Sequence, residues 1–324
     1  MTIRPYDWRD LILLHRLRNR GMCLDTRLMF TRGAPALRHT PLSTLIPGGN
    51  VCTLVSRADN SGELSAVGQF LIRNNQLPAR LVCISPREIL SRPEGTSLLE
   101  AMAHMAGERG APVLIAEIDE SDPAFDSLHA AGFAIYSRQR IFRLDSIVEG
   151  KTVPDEEIWR SATDRDYIAI QSLYTNLVPA LVQQVEPPPS RYERGLVYWS
   201  QGELLGFLDL ERGPQGTWVQ PYFHPAAELD DNLLSGFLLG FSPSQSYPLF
   251  ICVRSYQGGL SQSLKQLGFE PCSNQAVMVK RLAIPIRRPV LGKIPALDGT
   301  QPEPSAPFAN ILHHKSTPNK THSL

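Results

Sequence analysis

The sequence predicts an α/β protein with a mixed sheet, built from two tandem copies of one unit. Three observations point there: a repeated strand–helix–glycine–strand segment, matching starts to the two halves, and one order of elements that runs through twice. A chain of 324 residues is also longer than a domain of ordinary size.

Segment 112–133 reads PVLIAEIDESDPAFDSLHAAGF and segment 248–269 reads PLFICVRSYQGGLSQSLKQLGF. At a shift of 136 residues Pro112 falls on Pro248, Ser127-Leu128 on Ser263-Leu264, and Gly132-Phe133 on Gly268-Phe269. Each segment is a continuous apolar strand, a polar loop, a short amphipathic helix and a glycine suited to a left-handed helix end. The starts correspond as well. IRPYDWRD at 3–10 and WRSATDRD at 159–166 share an arginine in an extended segment and an Arg-Asp pair entering an apolar-periodic helix, at a shift of 156.

Taken in order, the first half opens with a strand near 2–5 and a helix from about Trp8, with Leu11, Leu14 and Leu17 on one face. A helical or irregular stretch leads to Pro47. Strands follow at Val51–Arg57 and Leu64–Arg73, split by a turn at Asp59-Asn60-Ser61-Gly62, and then at Ala79–Ser85 after Asn74-Asn75. A loop from Pro86 to Gly95 precedes a helix from Thr96 to about Glu108, and the repeat segment closes the half. The second half has a strand at 158–162, a helix from about Tyr167, a break at Pro187-Pro188-Pro189, strands at 195–200, 204–211 and 217–223, a helix over about 230–241, and the second repeat segment. The expected divisions are a first domain at 1–144, a linker at 145–157, a second domain at 158–282, and a disordered Pro-rich tail at 283–324.

Composition narrows the partners. Lys plus Arg equals Asp plus Glu at 32 each, so bulk charge draws the chain to neither nucleic acid nor an anionic membrane. No run of 18 apolar residues suggests a span, and charged residues fill the first turns where a signal peptide would be apolar. Five cysteines without CxxC spacing fit a reduced, cytoplasmic setting with no zinc site, and no metal is expected.

This element order, with Gly-Phe ending the penultimate helix, resembles the GCN5-related N-acetyltransferase superfamily over both halves. The resemblance implies two tandem acyl-CoA N-acyltransferase-like (GNAT) domains. It also implies acetyl-CoA as co-substrate, lying in a V-shaped opening between the fourth and fifth strands, with its pyrophosphate on backbone N–H groups at the start of the next helix. Small residues there let backbone and anion approach. Arg92-Pro93-Glu94-Gly95-Thr96-Ser97 matches the family pattern at Arg92 and Gly95, so the implied cofactor-binding residues are Ile84, Ser85, Arg92, Gly95, Thr96 and Ser97. Pro93 removes a donor, Glu94 adds negative charge, Ser97 stands where a smaller residue is usual, and the loop from Pro86 to Arg92 is long. In the second half the corresponding stretch, His224 to Asp231, has no glycine and three carboxylates, Glu228, Asp230 and Asp231, which oppose a pyrophosphate.

The family's general-acid tyrosine falls on Leu128 and Leu264, which cannot protonate a thiolate. The candidate catalytic residues are therefore Glu117 and Asp119, alternating onto one face of the fifth strand, with His129 and Tyr136 as stand-ins for the acid. Trp218, Tyr222 and Phe223, with His224, read as packing between sheet and helix, the alternative being the lining of a substrate pocket. The expected activity is transfer of a short acyl group to an amine of a small molecule or peptide by the first half, with a homodimer left open. The alternative is a non-catalytic binding, scaffold or ligand-sensing protein of the same fold.

Overall fold

The structure, a computed structural model, describes residues 2–33, 51–58, 64–72, 77–146, 158–189, 194–227, 231–241 and 243–283. The sequence-predicted turns at 59–62 and 74–75, most of the linker and nearly all of the tail lie outside the described residues.

The first half contains β1 (Thr2–Pro5), α1 (Leu11–Leu17), β2 (Met22–Cys23), α2 (Thr26–Arg32), β3 (Val51–Arg57), β4 (Ala66–Leu71), β5 (Ala79–Ser85), α3 (Pro93–Glu108), β6 (Val113–Ile118), α4 (Ala124–Ala130) and β7 (Ala134–Leu144). The second half contains β8 (Arg160–Ser161), α5 (Tyr167–Leu177), α6 (Ala180–Gln183), β9 (Leu196–Ser200), β10 (Glu203–Gly213), β11 (Gly216–Phe223), α7 (Asp231–Gly236), β12 (Leu249–Arg254), α8 (Leu260–Gln266) and β13 (Glu270–Arg281). The helix expected from Thr96 begins three residues earlier. Pro93 sits in its first turn, where a missing N–H costs nothing, behind a 3-10 turn over Arg87–Ser91. The helix expected over 230–241 divides into α7 and a 3-10 turn at Phe237–Gly240.

Both repeated signals fold alike. Arg4 grips Asp10 through two hydrogen bonds of 2.7 and 2.8 Å, and Arg160 grips Asp166 through two of 2.8 and 2.6 Å. Gly132 and Gly268 take φ of +84° and +96°, ending α4 and α8, and Phe133 and Phe269 close the turns onto the carbonyls of Leu128 and Leu264.

The described strands form one continuous sheet in the order β1-β3-β4-β5-β6-β13-β7-β12-β11-β10-β9-β8, with β2 against β5. The last strands of the halves are exchanged. β13 lies between β6 and β7 and pairs antiparallel with both, while β7 runs on to pair with β12. Alternate residues of β6 face opposite sides of this sheet. Leu114, Ala116 and Ile118 join the core under α3 and α4; Ile115 joins a second core with Tyr174, Val182 and Tyr222. Helix α2 of the first half packs on β10 and β11 of the second, with Phe30 stacked on Phe250 at a centroid distance of 4.2 Å.

Candidate functional site

In each half, two parallel strands begin together and then part. β5 and β6 pair only at Ala79–Leu114 and Arg80–Ile115; β11 and β12 pair only from Thr217–Leu249 to Val219–Ile251. These partings are the V-shaped openings the fold requires.

In the first half the opening is filled by the chain itself. Met22 and Cys23 pair with Ile84 and Cys83. The N–H of Leu24 donates to the carbonyl of Val82 at 3.0 Å, its carbonyl accepts from the N–H of Glu117 at 2.9 Å, and the side chain is 1% exposed. Strand β2 and the residue after it, Leu24, are thus bonded to both walls. Further out, the Ser85 hydroxyl donates to the Leu17 carbonyl at 2.6 Å, and the N–H of Arg87 donates to the Arg20 carbonyl at 2.9 Å. Ile84 and Ser85 are buried and fully engaged by the protein. At the start of α3 the Gly95 N–H donates to the Arg92 carbonyl at 3.0 Å, and a Cβ on Gly95 would collide with the carbonyl of Ile89. The glycine at this spacing answers a close backbone approach, and the approaching backbone is that of Ile89 and Leu90. Ser97 is exposed and its hydroxyl turns back to the Pro93 carbonyl; Thr96 is half-buried.

The second opening differs. Beyond Val219 and Ile251 the hydrogen bonds that cross it among the described residues come from side chains: Gln220 Nε2 donates to the Cys252 carbonyl at 3.3 Å, and Gln257 Nε2 donates to the Pro221 carbonyl. Among the described residues no third strand enters between β11 and β12.

Of the four candidate catalytic residues, Glu117 and Tyr136 share one charged neighbourhood around Arg80 and Arg254, and Asp119 and His129 lie elsewhere. Glu117, on β6, faces a cleft of about 700 Å³ lined by both halves, whereas Asp119 lies past the strand's end and lines a different cavity of about 560 Å³. Asp119 accepts from the N–H and hydroxyl of Ser121, which hold its carboxyl below its usual range. His129 is exposed on α4. Burial works to raise the Glu117 carboxyl, but Arg80, Arg254 and the Thr26 N–H outweigh it, and the group titrates below the ordinary glutamate range. An ionised, ion-paired carboxylate of lowered pKa is a weak base. Tyr136 is buried and donates to Glu186; burial, and then the Glu186 charge, push its phenol well above the ordinary value, so it is a weak acid at neutral pH.

The larger cleft holds the charged groups that sequence reasoning passed over. On the first-half side Arg80 binds Asp25 at 3.0 Å and Glu117, while Arg27 reaches across to Asp209 at 3.0 Å and Glu211 at 3.6 Å. On the second-half side Arg254, 6% exposed, donates through Nη2 to Glu186 at 2.7 Å. Trp218, Tyr222 and Phe223 are all buried in the core as expected, and Trp218 and Tyr222 also line this cleft. A signal was available for Arg254: an arginine ending the apolar strand LFICVR must be paired if it is buried.

No protein-family model matches the chain, and no curated protein sequence matches it. Solved structures do. A GCN5-related N-acetyltransferase from Sphaerobacter thermophilus aligns over 86% of this chain and 95% of its own, at 13% identity and a TM-score of 0.53. A tandem GNAT protein from the clavulanic acid biosynthesis pathway aligns over 86% of this chain and 98% of its own, at 14% identity and a TM-score of 0.51. At these identities the likeness is one of fold, and it spans both halves. Repeat, sheet order and structural neighbours agree: the chain has the fold of the GCN5-related N-acetyltransferases, built twice in tandem.

Proposed function

We propose that this chain is an N-acyltransferase in which the second half, rather than the first, takes the acyl-CoA, with the cleft between the halves receiving the amine. One observation carries the reading: among the described residues the strand opening is closed by main chain in the first half and crossed by side chains in the second. Removing residues 22–24 would break ladder bonds to both β5 and β6 and expose Leu24. Gln220 and Gln257 can turn away from their acceptors without breaking a strand ladder. With Glu117 ionised and Tyr136 held by Glu186, transfer would draw mainly on bringing acyl group and amine together.

A second reading is a non-catalytic ligand-binding protein of this fold. The carboxylates of Glu228, Asp230 and Asp231, set in sequence where the second cradle would begin, favour it. Isothermal titration with acetyl-CoA separates the two. The transferase reading expects saturable binding that a bulky Gln220→Trp side chain abolishes and Arg92→Glu leaves unchanged. Absence of heat at millimolar acetyl-CoA, or loss of binding in Arg92→Glu but not in Gln220→Trp, overturns it.

A further inference from the structure

The net charge of the chain is zero, yet one helix face in the first half sets exposed arginines beside exposed apolar side chains. In α1 Leu14 and Leu17 are buried, and helical spacing places the exposed residues around an arc in the order Arg18, Leu11, His15, Ile12, Arg16. Trp8, in the 3-10 turn Trp8–Asp10 just before, lies three and four residues from Leu11 and Ile12 and extends their patch. Trp8 is 68% exposed, Leu11 48% and Ile12 75%.

The neighbouring carboxylates are already engaged. Arg4 and Arg57 hold Asp10, and Arg20 reaches Glu88 at 3.5 Å. Asp7 is half-buried and caps the 3-10 turn through the Arg9 N–H. Arg9 lies over the Trp8 ring at 5.7 Å, and Arg18 Nη1 is 3.4 Å from His15 Nδ1. Among the described residues no carboxylate forms an ion pair with Arg9, Arg16 or Arg18. The second half is different at the matching place. The shift of 156 sets Tyr167 and Ile168 on Leu11 and Ile12, and both are exposed, but Trp8, Arg16 and Arg18 fall on Asp164, Ser172 and Tyr174. An exposed apolar pair therefore comes with the fold, whereas the tryptophan and the two outer arginines belong to the first half alone.

We infer that this face seats on an anionic lipid bilayer, with Trp8, Leu11 and Ile12 entering the boundary between headgroups and acyl chains and Arg9, Arg16 and Arg18 against the lipid phosphates. The arginine stems can lie along the apolar patch while their guanidinium groups stay with the phosphates. A second protein fits less well, because a stable protein interface takes about 20–30 residues a side, more than this helix face supplies. A bare polyanion would use the arginines and leave Trp8 and Ile12 in water. The inference does not rest on the acyl-CoA reading.

The test is cosedimentation of the full chain with two kinds of vesicle at low ionic strength: phosphatidylcholine alone, and phosphatidylcholine mixed with phosphatidylglycerol. Binding to the anionic vesicles is expected to be about tenfold or more tighter than to the neutral ones, and added salt should weaken it. Arg16→Glu combined with Arg18→Glu should weaken it by about tenfold or more. Trp8→Ser combined with Ile12→Ser should do the same, which a purely electrostatic contact would not show. Failure to bind the anionic vesicles, equal binding of both compositions, or unchanged binding in either double variant overturns the inference. A dimer in sedimentation velocity that Trp8→Ser with Ile12→Ser dissolves would overturn it too, by giving the face to a second copy of the chain. All four substituted side chains are exposed, and the comparison of the two vesicle compositions needs no variant.

Discussion

Gln139 Nε2 donates to Gln275 Oε1 at 2.8 Å, and the two residues are each other's counterparts in the repeat at a shift of 136. They also face each other in the ladder between β7 and β13, so the pseudo-twofold relation between the halves passes between them. Gln139 in turn lies opposite Arg254 on β12, and Gln275 Oε1 also accepts from the Thr26 hydroxyl at 2.8 Å. This glutamine pair therefore joins the filled opening of the first half to the arginine that ends β12 in the second.

The strand exchange predicts that neither half folds alone. Between β6 and β7 lies β13, so a fragment 1–146 would leave two long apolar edges unpaired. Such a fragment should be insoluble or self-associated, while co-expression with 158–324 should give a soluble one-to-one complex. Size-exclusion chromatography decides, and a monomeric, cooperatively melting 1–146 would count against the exchange.

Leu24 is the side chain carried by the inserted strand, and it is 1% exposed. Leu24→Ala should cost about 2–5 kcal/mol, as expected for a buried leucine removed from a close-packed site. Urea unfolding measures it. A loss below about 1 kcal/mol would mean that residues 22–24 are not seated between β5 and β6.

Gly95→Ala tests the assignment of that glycine to packing. The added methyl meets the Ile89 carbonyl and the Leu90 backbone, which cannot yield as a side chain tip would. A destabilisation of about 1–3 kcal/mol or more is expected, with acetyl-CoA affinity unchanged in the folded fraction. A stable variant with weakened acetyl-CoA binding would return the cradle to the first half.

Asp10 and Asp166 predict a shared acid sensitivity. Burial works to raise Asp10, but its bonds from Arg4, Asp7 and Arg57 outweigh that; the Arg160 hydrogen bond leads in holding Asp166 down. Folded pKa values below the unfolded value of about 3.9 stabilise the protein above that pH, and the contribution fades as pH falls through the folded values. At pH 7 Asp10→Asn and Asp166→Asn should each cost about 1–3 kcal/mol, a gap that narrows toward pH 2. Urea midpoints across that range give the comparison; a gap that widens on acidification would contradict it.

Local signals were enough to read the duplicated fold from residues alone. Arg4 with Asp10, Arg160 with Asp166, and the two Gly-Phe helix ends each act within a few residues of themselves, so sequence spacing and backbone preference decide them. What filled each strand opening, and which neighbour each last strand took, were settled by tertiary structure. β7 and β13 each carry a buried stretch that does not specify which neighbouring strand covers it, so their exchange leaves no mark in the pattern. Met22 to Leu24 is too short to register as a strand until two other strands offer it hydrogen bonds. Arg27, Arg80, Glu186 and Arg254 are scattered along the chain and become one charged cleft only when both halves share a sheet, because pairing among charges depends on distance in space rather than along the sequence.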